Sequence, residues 1–354
     1  MVKSFFYGLG AILLAGSTLQ AGHESCVDSC YPMPNMIGDF ITLPDGLVNP
    51  ANQFDYAVMV HNSGGVSRTK ASQNNNILPQ DRLFLDTSWS DDALFDASNN
   101  ARSHEVYRTN FGFEKVFQDG LSSVELRLPM INGYDSNASA LINSQAALGT
   151  QFGNLYVGGK RVLWQDGEST LTAGLGVTLP TGNSTDYVFM GNTFVNIENE
   201  TAFLKPYVAY SHQNGASFFQ VWSELDLAVG GNDVYNGNVF LGEYQQQNLY
   251  ALDMQVGRWL YYNPNASGLV KGVAPIVELH YTTTINDTDN INLVQNYRNP
   301  FNRMDFWNVT MGMQAQVGEA SNLRLAASLP VRNGSQDETH ASDLTLFLQW
   351  DIMR

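Results

Sequence analysis

The sequence predicts an all-β protein, a transmembrane antiparallel up-and-down β-barrel of about 12 strands, with 10 or 14 as the alternatives. Three observations predict it: strand-length runs that alternate apolar and polar residues, short and long connections in turn, and an export signal at the start of the chain. Only 15% of the residues are charged, against roughly 25% in soluble globular proteins. After the signal, no run supplies the roughly 20 apolar residues that a membrane helix needs.

Residues 1–21 are interpreted as a signal peptide. Lys3 supplies the positive start, an apolar run extends from Phe5 to Leu14, and small residues lead to a cut expected after Ala21. A cut after Ser17 is the alternative. Because the apolar run is too short to anchor the chain in a bilayer, we expect export and removal of this segment.

The two cysteines, Cys26 and Cys30, follow the signal directly. An oxidising compartment favours a small local disulfide between them. Two cysteines alone cannot form a four-ligand metal site, and no histidine pair lies near them in the sequence. We therefore predict a disulfide, no metal and no cofactor.

Residues 22–81 form a separate region, rich in Asn, Pro and Gly and without sustained alternation. The sequence favours a periplasmic extension or a plug in the barrel mouth, and leaves two extra strands as a third option. The predicted organisation is therefore a signal peptide (1–21), this N-terminal region (22–81) and an outer-membrane β-barrel (82–354).

Alternation begins near Arg82 and continues to the end of the chain. It is clearest from Ser169 to Pro180, where apolar residues at 171, 173, 175, 177 and 179 oppose Thr or Gly at 170, 172, 174, 176 and 178. A period of two places the two sets on opposite faces of a strand. The last strand, with Leu346, Leu348 and Trp350 against polar neighbours, follows the same pattern.

The connections predict the orientation. Tight turns with Asn, Asp or Gly occur near residues 118–120, 165–167, 212–215, 263–268 and 318–322. Longer polar loops lie between them. Outer-membrane barrels have short periplasmic turns and long outer loops. Counting back from Arg354, the first strand, near Arg82 to Trp89, runs outward, so both ends of the barrel lie in the periplasm.

Charged residues on the polar face of the predicted strands are assigned to the lumen. On the lipid face at mid-depth, an Arg or Lys would cost about 2–4 kcal/mol. These residues either line a pore or binding site, or pair across a narrow barrel and plug it. The assigned residues are Arg108, Glu114, Glu125, Arg127, Lys205, Glu224, Asp226, Asp253, Glu278 and Arg324.

Aromatic residues near the predicted strand ends suggest interfacial girdles, with packing inside a soluble β fold as the alternative. They are Trp89, Trp164, Tyr210, Trp259, Tyr261, Tyr262, Trp307 and Trp350.

The string GLGVTLPTG (174–182), the turn WQDGES before it and the closing LFLQWDIMR carry a family resemblance. The chain resembles the outer-membrane proteins assigned to the meta-pathway of phenol degradation, relatives of the long-chain fatty-acid transporters. The resemblance implies an outer-membrane barrel that passes hydrophobic or aromatic compounds. That family has no catalytic residues to carry over to this chain.

Other function classes are disfavoured. The net charge of −16 argues against nucleic acid as a partner. No GxSxG or HExxH motif occurs, and His212, with Ser211 and Ser217 nearby, falls in a predicted periplasmic turn without an acidic neighbour. We therefore predict that the protein is not an enzyme.

The predicted function is a porin-like channel or facilitator of a Gram-negative outer membrane, for passive uptake of small molecules, hydrophobic or aromatic ones included. The alternative is a closed structural or adhesive barrel that works through its acidic outer loops. Expected partners are outer-membrane lipid, lipopolysaccharide and a small-molecule solute. The sequence gives no indication of the oligomeric state.

Overall fold

The computed structural model describes residues 31–41, 46–48, 58–60, 63–64, 68–96, 101–118, 120–132, 150–189, 192–291, 297–298, 302–332 and 341–354. No helix in this part of the chain is long and apolar enough to cross a membrane. Twelve strands form the main sheet: β1 (Arg82–Asp96), β2 (Ala101–Phe117), β3 (Ser122–Asn132), β4 (Leu155–Gln165), β5 (Ser169–Leu179), β6 (Ala202–Asn214), β7 (Ser217–Val229), β8 (Leu249–Arg258), β9 (Val270–Thr284), β10 (Asp305–Val317), β11 (Ser321–Pro330) and β12 (Leu344–Met353).

The sheet closes on itself. Each strand pairs antiparallel with the next in the chain, and β12 pairs with β1 from Leu344↔Asp91 to Met353↔Arg82. Closure removes every sheet edge, which is the condition for β-structure to lie in lipid. The predicted fold class, the count of twelve and the first strand at Arg82 are confirmed.

The two ends of the barrel differ as predicted. At the periplasmic end, turns of two to four residues join most hairpins, and the chain terminus returns to the start of β1, where Arg354 N donates to Asp81 O at 2.9 Å. At the outer end five of the six connections are longer, the exception being the one between β1 and β2, where four residues separate Asp96 from Ala101. Two of them contribute Thr185–Phe189, Asn192–Ile197, Asn232–Asn236 and Val239–Tyr244 to a four-stranded outer sheet.

The remaining strands are short. Thr150–Phe152 extends the wall beside β3, and Tyr261–Tyr262 pairs with β9. Gly46–Val48 pairs with Val58–Val60, and Asn290–Ile291 pairs with Tyr297–Arg298.

Alternation separates the two faces of the wall. In β12, Leu346, Leu348 and Trp350 are exposed on the outside, whereas Gln349 and Asp351 are fully buried on the inside. Of the aromatic residues predicted to form girdles, Trp350 and Trp164 lie on the outward face, each 45% exposed. Between β8 and β9 the chain does not continue the alternation.

Trp259 is a correction to the predicted girdle. It is only 2% exposed, and its Nε1 donates to Pro32 O at 2.9 Å. Its ring packs against Tyr262 with a centroid distance of 5.2 Å. Trp259 therefore belongs to the barrel interior, because the connection between β8 and β9 is irregular and turns the indole inward.

Two glycines of the GLG run have a steric role on the inner wall. A Cβ added at Gly174 would lie 2.2 Å from Cζ of Tyr207, and one at Gly176 would lie 2.5 Å from Cε2 of Tyr156. Both rings are buried. The glycines therefore leave the space in which the two tyrosine rings lie flat against neighbouring strands.

Part of the chain before β1 lies inside the barrel. We call residues 31–41 and 68–80 the inner segment. It begins at the periplasmic end, where Gln213 Nε2 donates to Tyr31 O at 2.7 Å. Between residues 31–41 and residues 68–80, Ser63 lies at the outer loops, where its hydroxyl donates to Glu198 O at 3.0 Å. It returns to the periplasmic end at Gln80, whose N–H donates to Glu114 at 3.1 Å.

The inner segment and the wall pack in layers. An apolar layer near the outer end comprises Phe40, Ile41, Ala93, Val106, Ile131, Leu249, Met304, Phe306 and Ala341. A second apolar cluster extends toward the periplasmic end and includes Met33, Met36, Ile37, Ile77, Tyr207, Phe218, Trp222 and Trp259. Buried polar and charged groups meet between and beside these layers.

Candidate functional site in the barrel lumen

The ten charged residues assigned to the lumen by sequence are all buried, each at most 5% exposed. Eight of them contact the inner segment: Arg108, Glu114, Arg127, Glu224, Asp226, Asp253, Glu278 and Arg324. Glu125 and Lys205 pair instead with other wall residues. Among the described residues, the wall and the inner segment therefore meet through charged contacts inside the lumen.

One side of the wall neutralises its own charges. We call it the self-paired side; it comprises charged residues of β1–β4, β11 and β12. Arg82 lies between Glu114 at 2.9 Å and Asp351 at 3.3 Å. The further ion pairs are Lys160–Glu114 at 2.9 Å, Arg324–Asp351 at 2.5 Å and Arg127–Glu125. Buried charges are tolerated where they are paired in this way.

The opposite side, which we call the acidic side, is different. It consists of Glu224 and Asp226 on β7, Asp253 on β8 and Glu278 on β9. The wall lysine beside it, Lys205 of β6, lies 2.5 Å from Asp226 and 3.8 Å from Glu224. The acidic side therefore has fewer wall cations than carboxylates.

The inner segment supplies the missing donors. Ala71 N donates to Glu224 at 2.6 Å. The N–H groups of Ile37 and Gly38 donate to the two oxygens of Glu278 at 2.7 and 2.8 Å. Arg68 lies 3.4 Å from Asp226. Backbone and side-chain donors of the inner segment thus face the acidic side.

Lys70 is the central cation of this arrangement. Its Nζ lies 2.7 Å from Asp39 Oδ1 and 2.8 Å from Asp253 Oδ1. Ser72 Oγ donates to the other oxygen of Asp253 at 2.6 Å.

His280 extends the same cluster. Its Nδ1 lies 2.9 Å from Asp253 and its Nε2 lies 3.1 Å from Glu278. Ligand-type atoms of Asp39, Asp253 and His280 lie within 4.8 Å of one another. The Lys70 ammonium already contacts both carboxylates, so the geometry suits an ammonium group rather than a metal ion.

Acceptors of the inner segment face the self-paired side. Lys160 Nζ donates to Asn75 Oδ1 at 2.7 Å and to Asn76 O at 2.6 Å. Arg127 donates to the carbonyls of Lys70 and Ala71 at 3.2 and 3.3 Å. The inner segment therefore lies between two sides of different charge. It donates to the carboxylates of the acidic side, and on the self-paired side it accepts from Lys160 and Arg127 but also donates to Glu114 and Asp351.

Sequence reasoning missed five charged or titratable residues on the same inner face: Arg82, Asp86, Lys160, His280 and Asp351. Asp351 and His280 follow the alternation of their strands, which was the available signal. Lys160 is adjacent to Arg161, so composition alone does not say which of the two faces inward. Arg82 and Asp86 stand in the first strand, whose pattern is less regular.

Several predictions fall outside the described residues: residues 1–21, with the signal peptide, and Cys26 and Cys30, with the disulfide. Both remain predictions. Of residues 22–81, only the parts given above are described.

The histidine considered for catalysis has different neighbours from those expected. His212 Nδ1 lies 3.0 Å from Ser169 Oγ, to which Tyr210 OH also donates at 3.2 Å. Glu168 is the nearest carboxylate, with 4.0 Å to His212 Nε2, which is longer than a hydrogen bond. At the periplasmic end, Glu168 is exposed and His212 is partly exposed. The absence of enzyme activity stays a prediction.

Comparison with known proteins gives structural matches. An outer-membrane channel from Pseudomonas putida F1 superimposes with a TM-score of 0.50 at 11% identity, covering 78% of this chain and 97% of that chain. The β domain of the Bordetella autotransporter BrkA gives 0.45 at 14% identity, covering 77% and 100%. The Pseudomonas putida toluene transporter TodX gives 0.36 at 8% identity, covering 82% and 94%. No protein-family model and no curated protein matches the sequence.

At these identities the likeness concerns the fold. It confirms, at that level, the resemblance identified from the sequence. The closed barrel, its apolar outward face and its likeness to an outer-membrane channel also confirm the predicted location. The chain is an outer-membrane β-barrel, and its fold is similar to that of an outer-membrane channel.

Proposed function

We propose that the protein is an outer-membrane channel for passive uptake of small molecules, hydrophobic or aromatic ones included, and that the inner segment closes it in the state described. The observation that carries this proposal is the character of the lumen. The wall is lined with charged groups, and the space between them is occupied by a segment that is not part of the wall and that meets it through charged, polar and apolar contacts.

A charged lumen favours reversible closure. Burying charges removes their hydration, and this penalty offsets much of the attraction between them. If the inner segment leaves, water can solvate the same groups again. An apolar lumen would instead expose hydrophobic surface on opening. At the charged contacts, the filled and the water-filled states of this barrel are therefore closer in free energy than they would be if the whole lumen were apolar.

The apolar layer near the outer end supports the proposed solute class. Phe40 and Ile41 of the inner segment pack there against inward side chains such as Val106, Ile131 and Phe306. When these two residues move, the layer offers a hydrophobic surface at the mouth through which a solute enters. Small apolar solutes suit such a surface.

The test is solute entry into liposomes that contain the purified full-length protein. We expect a small aromatic solute to enter faster than into protein-free liposomes, and planar bilayers to show discrete openings. Absence of both, in a preparation whose gel mobility changes on heating as for a folded barrel, would contradict the channel.

The second candidate is a closed structural or adhesive barrel that works through its acidic outer loops. The filled lumen and the four-stranded outer sheet favour it, since that sheet carries Asp186 and Asp233. Deletion of the segment that contains Asn232–Asn236 and Val239–Tyr244 would then abolish surface binding and leave permeability unchanged.

The partners follow from the same surfaces. The apolar outward face would contact outer-membrane lipid, and acidic outer loops would attract divalent ions that bridge neighbouring lipopolysaccharide molecules. Removal of divalent ions with a chelator should lower the amount of lipopolysaccharide that copurifies with the protein. An unchanged amount would count against this partner.

A further inference from the structure

We propose that the open lumen selects cations, and that its preferred solutes are small organic ammonium ions, whose charged group takes the place of the Lys70 ammonium on the acidic side. This inference rests on the proposed channel function and specifies its solute class. It follows from an imbalance of charge in the wall, the group that now corrects it and the apolar layers beside it.

The imbalance is confined to the acidic side. Among the described residues of β7, β8 and β9, four carboxylates face the lumen and no Lys or Arg does. Lys205 of the neighbouring strand supplies one cation, and His280 lies between Asp253 and Glu278. The remaining cations are Arg68 and Lys70, which both belong to the inner segment.

The self-paired side does not depend on the inner segment in this way. Arg82 and Arg324 both contact Asp351, and Lys160 contacts Glu114, all within the wall. When the inner segment moves, the wall keeps these ion pairs. The acidic side loses Arg68 and Lys70 and presents its carboxylates to the water-filled lumen, where they attract cations from solution.

The contacts of the Lys70 ammonium indicate which chemical group a solute needs in order to bind there. Nζ accepts no hydrogen bond and lies within 2.8 Å of Asp39 and Asp253. Asp253 also has a partner on the wall, since His280 Nδ1 lies 2.9 Å from its Oδ1, whereas Asp39 belongs to the inner segment. Asp253 remains on the wall after the inner segment moves. A primary ammonium can therefore repeat the contact of Lys70 with Asp253.

The apolar layers indicate the chemistry of the uncharged part of the solute. The layer with Val106, Ile131 and Phe306 lies toward the outer end, and the cluster with Ile276 and Trp222 lies on the periplasmic side. An aromatic or alkyl group can pass along these surfaces while its ammonium contacts the acidic side. An anion of the same shape would meet the four carboxylates without the cations Arg68 and Lys70 that the inner segment supplies.

The experiment compares benzylammonium, benzoate and benzyl alcohol, which share a ring and differ in charge. Entry into liposomes containing the full-length protein is measured for each, and the reversal potential of single openings is measured in a KCl gradient. We expect benzylammonium to enter faster than benzoate by about tenfold, and the reversal potential to show preference for K⁺ over Cl⁻.

Asp253→Asn tests the assignment to the acidic side. The control is Glu243→Gln, which removes the same charge from the exposed outer sheet. We expect Asp253→Asn to reduce the preference for benzylammonium and Glu243→Gln to retain most of it. Glu278→Gln replaces Asp253→Asn if the latter lacks the heat-dependent gel mobility of a folded barrel.

The outcomes separate the two proposals. Openings without preference for cations, or equal effects of Asp253→Asn and Glu243→Gln, overturn the inference and leave the channel intact. If no solute enters and no opening occurs in any folded variant, the channel itself is contradicted, and the inference with it.

Discussion

The inward and outward faces of the same twelve strands treat charge in opposite ways. Along β2, Phe111 and Phe113 are exposed to the outside, while Arg108, Asn110 and Glu114 alternate with them and are buried inside. The outward face excludes charge because lipid cannot solvate it. The inward face accepts charge only where a partner is present. The difference shows that, in this barrel, whether a charge is tolerated depends on its neighbours and not only on its depth in the membrane.

The largest expected effect is on the inward face. Lys70→Ala leaves Asp39 and Asp253 without their ammonium partner, and breaking a buried ion pair costs about 3–5 kcal/mol. The inner segment should therefore leave the lumen more often. The measurement is labelling of an Ile77→Cys reporter, at a position buried in the wild type, with a membrane-impermeant maleimide.

Lys160→Ala is the matched control for Lys70→Ala. It removes a buried ammonium from the self-paired side, where Glu114 keeps Arg82 at 2.9 Å. We expect a smaller increase in labelling than for Lys70→Ala. The parent without the Ile77→Cys reporter corrects for any label on the native cysteines. Equal labelling of the two variants would remove the distinction between the two sides of the lumen.

The next effect concerns charge on the outward face. Leu325 is 57% exposed in the middle of β11, and Leu325→Arg should destabilise the barrel by about 2–4 kcal/mol. Leu260, 70% exposed beside the periplasmic end, is the comparison, and Leu260→Arg should cost only about 0–1 kcal/mol because the side chain can reach the interface. Urea unfolding in lipid vesicles measures both; similar losses would contradict the assigned membrane position.

A smaller effect is expected from steric change on the inward face. Gly174→Ala places a Cβ 2.2 Å from the Tyr207 ring and 2.7 Å from the Gly159 carbonyl oxygen. Overpacking of this kind costs about 1–3 kcal/mol. Gly268→Ala is the control, since nothing lies within 4 Å of the added atom. The same urea titration should shift for Gly174→Ala alone.

The smallest effect is expected at the periplasmic rim, outside both the inward and the outward face of the barrel wall. Asp81 accepts from Val116 N at 2.7 Å and from Lys115 Nζ at 2.9 Å. The Val116 N–H and then Lys115 lower the pKa of Asp81. Its contribution to stability is therefore present above the ordinary pKa of an Asp and is lost as pH falls through the lowered value.

Lys115→Ala should thus produce only a slight loss at neutral pH, because exposed ion pairs contribute little. The difference from the wild type should shrink further as the pH is lowered past the titration of Asp81. Unfolding midpoints measured across that range provide the check, and a difference that grows toward acid pH would contradict the role given to Asp81.

The strands could be predicted from the sequence because a period of two is a local property. In β5, Leu175 and Val177 point outward and Gly174 and Gly176 inward, as their neighbours in sequence already indicated. The turn chemistry then ordered the strands. The prediction for Trp259 was wrong because alternation gives no direction where the chain leaves the regular strand.

The inner segment could not be predicted in the same way. Residues 31–41 and 68–80 form no barrel strand, so their sequence carries no period. Their positions depend on contacts with distant residues: Lys70 with Asp253, and Asn35 with Asp351, the latter 316 residues away. The polar composition of this region was visible in the sequence, but the partners of each polar group were not.

The central claim is that the inner segment closes a lumen through which small molecules can pass. Planar bilayer recordings of the wild type and of Lys70→Ala, each as the full-length folded protein, test it most directly. The account predicts rare openings in the wild type, and more frequent or longer openings in Lys70→Ala with the same maximal conductance. No openings in either protein, or the same open fraction in both, would contradict it.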